Sequence, residues 1–88
     1  MKQTLQIVNE KGLHARASAK FVETVERFDA EADVTKDGMS VPGSSIMGLM
    51  MLAASKGCDI EVETSGAQSQ ELAIALADLV ADFFGEGK

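Results

Sequence analysis

The chain has one histidine, His14, and it stands in the run Gly12-Leu13-His14-Ala15-Arg16-Ala17-Ser18, where a helical pattern begins. Ser, Thr, Asp or Asn usually caps such a start by accepting a backbone N–H, and none occupies the expected position here. The first N–H groups of a helix have no partner within it, and the helix dipole adds partial positive charge, so this terminus is prepared for an anion. Arg16, two residues into the first turn, offers a guanidinium fork that matches phosphate geometry. A positive helix end disfavours protonation of a nearby imidazole, and only the neutral ring has a nucleophilic lone pair. His14 is therefore equipped to attack phosphorus, with the amides of Ala15, Arg16 and Ala17 and the Arg16 side chain holding the transferred group. The residues alone leave a plainer alternative open, in which the ring only caps the helix on an exposed surface.

These groups must be positioned by the elements around them. Lys2 to Val8 alternates as a strand, and Asn9-Glu10-Lys11-Gly12 breaks it to deliver His14. Phe21, Val22, Val25 and Phe28 recur at helical spacing between Ala15 and about Phe28, with Glu23 and Glu26 turned to solvent. Ala30 to Thr35 alternates, Asp37-Gly38 suits a two-residue hairpin turn, and Met39 to Val41 resumes the alternation. Pro42 can donate no ladder hydrogen bond, which predicts a short strand at a sheet edge. Ser45 is placed to cap a helix from about Ile46 to Ser55.

Cys58, Ile60 and Val62 alternate with Asp59, Glu61 and Glu63, which gives a strand with an acidic, water-facing side. A last helix, capped by Ser69 and ending near Gly85, buries Leu72, Leu76, Leu79, Val80 and Phe83. The order is βαββαβα. It predicts an α+β open-faced sandwich, a four-stranded antiparallel sheet with three helices on one face, in a single domain over residues 1–88.

Composition excludes several functions. Fourteen acidic against eight basic residues give a formal charge of -6, which makes attraction to nucleic acid or anionic lipid unfavourable. Eighty-eight residues bury a modest core but leave no room for a deep cleft beside it. No apolar stretch approaches the roughly 20 residues that span a bilayer, and no signal core follows Met1-Lys2-Gln3-Thr4, so membrane insertion is not expected and the cytosol is the expected compartment. The single Cys58 forms no internal disulfide and reads as a small buried hydrophobe. Neither a metal nor a cofactor is expected.

Two motifs in register change the weight of the His14 reading. Gly12-Leu13-His14-Ala15-Arg16 after a first strand resembles the phosphorylation motif of HPr, the histidine-containing phosphocarrier family of the phosphoenolpyruvate-dependent phosphotransferase system. Ser45-Ile46-Met47-Gly48 resembles the family's second signature, and element order and length also agree, so the resemblance spans essentially the whole chain. It implies that His14 receives phosphate at Nδ1 from phosphorylated Enzyme I and passes it to an EIIA-type domain, assisted by Arg16. It also implies that Ser45 is a site for an ATP-dependent HPr kinase/phosphorylase in some members. The chain departs from the common pattern at Ala17, where many members have proline, and at Glu23 and Glu26, where proline-bearing members often have lysine. A nitrogen-linked regulatory relay is therefore as compatible with the sequence as sugar uptake.

The second helix is apolar almost all round at Ile46, Met47, Leu49, Met50, Met51, Leu52 and Ala53. One side of a small sheet cannot bury all of these, and exposed methionines suit a surface that adapts to several partners. Ile46, Met47 and Met50, with Leu13 and Ala17 near the site, are the expected partner contacts of a monomer. Two alternatives compete with the carrier: a noncatalytic binding module acting through Ile46–Met51, and a small acyl phosphatase, whose glycine-rich first loop is missing here.

Overall fold

A computed structural model describes residues 1–88. Strand β1 (Lys2–Gln6) is followed by helix α1 (Ala15–Glu26), strands β2 (Glu31–Lys36) and β3 (Met39–Pro42), helix α2 (Ile46–Met51), strand β4 (Asp59–Ser65) and helix α3 (Ser69–Ala81), then a 3-10 turn at Phe83–Gly85. The four strands form one antiparallel sheet in the order β1-β4-β2-β3. Three helices cover one face, as the alternation predicted.

Strands β2 and β4 show why the sheet has two unlike faces. Ala32 and Val34 of β2 and Ile60, Val62 and Thr64 of β4 are buried beneath the helices, while Glu31, Asp33, Asp59, Glu61 and Glu63 point to water. Asp37 and Gly38 both take positive φ, at 50° and 80°, as a type I′ hairpin requires. β3 lies at the sheet edge, where the missing N–H of Pro42 costs nothing.

Helix packing closes the core. Phe21, Leu49, Leu72, Leu76 and Phe84 are fully buried against Ile7, Val34, Ile60 and Val62. Cys58, expected to be a buried hydrophobe, is half-buried at the margin of this core.

Four local expectations need correction. α2 stops at Met51 rather than Ser55, because Ala53 turns to a φ of 52° and brings the Ala54 carbonyl to the amide of Leu13. Ser69 does not cap α3. Gln68 is the cap residue, tied back to Asp29 by its own N–H at 2.9 Å and by its Oε1, which accepts the Asp29 N–H at 2.7 Å. α3 ends at Ala81, short of Gly85. Phe83 and Phe84 then take positive φ, and the reversal buries Phe84 fully where the stripe predicted Phe83.

Candidate functional site

The approach to His14 is built from backbone. Gly12 has a φ of +64°, and a Cβ there would lie 2.2 Å from the Ala54 carbonyl oxygen, so both conformation and space call for glycine. Leu13 then donates its N–H to that same oxygen at 2.9 Å. His14 follows as the N-cap of α1 in an extended conformation, and its side chain makes no capping hydrogen bond. The first amide satisfied inside the helix is that of Ser18, on the His14 carbonyl at 2.9 Å; the amides of Ala15, Arg16 and Ala17 have no backbone partner. Arg16 is exposed and makes neither a hydrogen bond nor an ion pair, so its guanidinium is free to turn toward an incoming anion.

The structure adds a residue the sequence did not suggest. Nε2 of His14 meets the Oε2 carboxylate oxygen of Glu86, 72 positions away in the chain. The Glu86 side chain is 11% exposed and the His14 side chain 26%. Asn9, fully buried, donates one Nδ2 hydrogen to Oε1 of Glu86 and another to the Gly12 carbonyl, both at 2.9 Å. Desolvation alone would raise the Glu86 pKa, but the donors from Asn9 and His14 and the charge of Lys11 outweigh it, and the carboxyl is held below its ordinary value. No periodicity links Asn9 and Glu86 to His14, which is why sequence reasoning missed them.

Beside this contact lies an open recess of about 320 Å³ lined by Lys11, Arg16, Lys20 and Lys88 together with Glu10 and Glu86. Its wall contains no apolar residue and four cations, although the protein as a whole is acidic. No group of three or more His, Cys, Asp or Glu side chains is placed to share a metal ion.

The expected partner contacts divide into two sets. Ile46, Met47 and Met50 are exposed, and Met51 joins them; Met47 and Met51 are 71% and 66% accessible. Leu13 and Ala17 are not surface residues. Leu13 is 4% exposed and Ala17 fully buried, because the Leu13–Ala54 hydrogen bond draws this end of α1 down onto the core. Of Ala17 only the backbone amide, which has no backbone partner, is left at the helix terminus. Ser45 caps α2, its Oγ accepting the Gly48 N–H at 3.0 Å. It stands at the opposite end of α2 from the Ala53–Ala54 turn that holds Leu13.

Residues 1–82 match the model of the PTS-HPr family, described as the PTS HPr component phosphorylation site. The chain belongs to the HPr family. It is 54% identical over 88 residues to the phosphocarrier protein HPr of Neisseria meningitidis serogroup A, with 100% of this chain and 99% of the relative covered. It is also 42% identical over 84 residues to the phosphocarrier protein NPr of Escherichia coli K12, covering 94% of this chain and 90% of that one. A crystal structure of HPr-C-His from Thermoanaerobacter tengcongensis superposes with a TM-score of 0.93 at 40% identity, covering 98% of this chain and 97% of the other. Membership makes the chain a phosphocarrier of the phosphotransferase system, and no helix in it is long and apolar enough to cross a membrane. Glu86 lies beyond the residues that the family model matches.

Proposed function

We propose that His14 takes a phosphoryl group at Nδ1 from phosphorylated Enzyme I and hands it to an EIIA-type domain, acting stoichiometrically, as a monomer, in the cytoplasm. The observation that carries this reading is the N-cap position of an imidazole that caps nothing, beside three amides without backbone partners. Incoming phosphate oxygens would occupy the donors of Ala15, Arg16 and Ala17, and the guanidinium of Arg16 would add charge-assisted hydrogen bonds as negative charge redistributes. Because the same donors serve the bound and the departing group, transfer is reversible.

The exposed face of α2 is where partners dock on this reading. Ile46, Met47, Met50 and Met51 present an adaptable apolar surface that more than one partner can bury. Phosphorylation of Ser45 by an HPr kinase/phosphorylase would place about two negative charges at the start of that surface, favourable for the helix terminus but unfavourable for an apolar or acidic partner. A noncatalytic binding module using Ile46–Met51 alone is the second reading, and it is supported by the same exposure. Similarity to proteins named both HPr and NPr leaves sugar uptake and a nitrogen-linked relay equally open as the branch served.

The deciding experiment mixes the protein with phosphoenolpyruvate and Enzyme I and measures acid-labile phosphate. Wild type is expected to take label and His14→Ala to take none. Failure of every cognate Enzyme I to label wild type overturns the carrier reading, and label on His14→Ala moves the site elsewhere. For Ser45, intact mass after incubation with the kinase and ATP is compared with Ser45→Ala; equal uptake by both removes Ser45 from the proposal.

A further inference from the structure

We propose that Glu86 is a positioning residue for phosphoryl transfer, accepting the Nε2–H of His14 and so keeping the ring in the tautomer whose lone pair lies on Nδ1. The proposal rests on the phosphocarrier reading of His14 but not on any identity of donor or acceptor.

A carboxylate at the end of a chain carries this role only if something holds it, and here it is held from two sides. The tail turns back through positive φ at Phe83 (58°) and Phe84 (52°), and the fully buried Phe84 ring anchors it to the core. Lys20 Nζ donates to the Phe84 carbonyl at 2.7 Å and ties the turn to α1, the helix that His14 begins. From the opposite side, Asn9 Nδ2 holds Oε1 of Glu86 at 2.9 Å and directs Oε2 at the imidazole. The Asn9 amide uses its hydrogens on Gly12 and Glu86 while its Oδ1 is buried without a donor, so those two acceptors set its orientation.

An ionised carboxylate can only accept, and both of its oxygens are taken by donors, Asn9 Nδ2–H and His14 Nε2–H. A neutral ring that donates from Nε2 has its lone pair on Nδ1. In the transfer that pair forms the Nδ1–P bond, the bond from phosphorus to the donor's leaving atom breaks, and its electrons remain with the donor. Nε2 keeps its proton, so the phosphorylated ring carries positive charge next to Glu86. When the Nδ1–P bond breaks in the next transfer, its electron pair returns to Nδ1 and the resting tautomer is restored.

The amide of glutamine supplies the test, because it has one acceptor and one donor end. In Glu86→Gln the oxygen satisfies Asn9 Nδ2, and the NH₂ group then faces His14 Nε2 and makes it an acceptor. Rotating the Asn9 amide to avoid this would set its Oδ1 against the Gly12 carbonyl. Glu86→Gln should therefore shift the ring to the Nδ1–H tautomer, whereas Glu86→Ala leaves both tautomers accessible in water. Long-range ¹H–¹⁵N correlation spectra of the unphosphorylated ring, recorded at alkaline pH, read the tautomer without any phosphoryl donor. Wild type is expected to show Nε2–H alone, Glu86→Ala a mixture, and Glu86→Gln mostly Nδ1–H. Initial rates of phosphoryl uptake should fall in the order wild type, Glu86→Ala, Glu86→Gln, the last by about a hundredfold or more if the wrong tautomer dominates. A role confined to packing the tail would reverse the two variants, since glutamine keeps the shape of glutamate. Nε2–H retained in Glu86→Gln, or uptake by it at or above the alanine rate, overturns the proposal. Absence of uptake by wild type would instead remove the phosphocarrier reading and leave the tautomer spectra to be judged separately.

Discussion

Leu13 donates its backbone N–H to the carbonyl of Ala54 at 2.9 Å, and this bond fixes the start of α1 to the turn that ends α2. His14 is therefore displayed from a backbone anchored immediately before it, and the Leu13 side chain is packed into the core.

Gly12→Ala should test that backbone. Its φ of +64° disfavours any L side chain, and the Cβ would meet a carbonyl that is itself engaged by Leu13. A loss of about 2–4 kcal/mol in urea unfolding is expected. A loss under about 0.5 kcal/mol would mean that the turn can rearrange freely.

Leu13→Ala discriminates core from contact surface. The side chain is almost completely buried, so truncation should cost about 2–5 kcal/mol and lower the thermal midpoint. Unchanged stability with weakened transfer to the acceptor domain would restore Leu13 to the partner surface.

Arg16→Ala should separate stability from transfer. Because the guanidinium has no partner in the folded protein, unfolding free energy should stay within about 0.5 kcal/mol of wild type. Phosphoryl uptake measured with Enzyme I should slow by on the order of tenfold to a hundredfold. Equal uptake rates in the two proteins would assign the phosphate to the backbone amides alone.

Met47 and Met51 should behave in the opposite way to Leu13. Met47→Ser and Met51→Ser remove exposed apolar area and should leave thermal stability nearly unchanged while raising the apparent KM for transfer to the acceptor. If neither variant changes KM with Enzyme I or with the acceptor, α2 is not the docking face.

The pH dependence of the tail contact follows from Glu86. A carboxyl whose folded pKa lies below its ordinary 4.5 contributes stability that is present above that value and lost as pH falls through the folded one. The difference in unfolding free energy between wild type and Glu86→Ala should therefore be larger at pH 6 than at pH 3. A difference that stays constant across this range would show that the ionised carboxylate adds nothing to the docking of the tail.

The sequence by itself determined the features that depend on neighbours in the chain. Alternation placed Ile60 and Val62 inside and Glu61 and Glu63 outside, and Asp37-Gly38 supplied a two-residue hairpin turn in which both residues take positive φ. It also marked His14 as an N-cap without a conventional capping residue and Ser45 as a cap with one.

Only the tertiary structure decided which apolar residues face solvent and what the imidazole touches. Leu13 and Ala17 read as surface because they flank His14 in the chain, yet a bond to Ala54 sinks this end of α1 into the core. The Glu86 carboxylate reaches His14 across 72 positions because buried Phe84 and the fully buried Asn9 bring the tail and the first loop together. Local periodicity reports which face of an element is apolar; it carries no record of which distant polar group that packing will bring to the site.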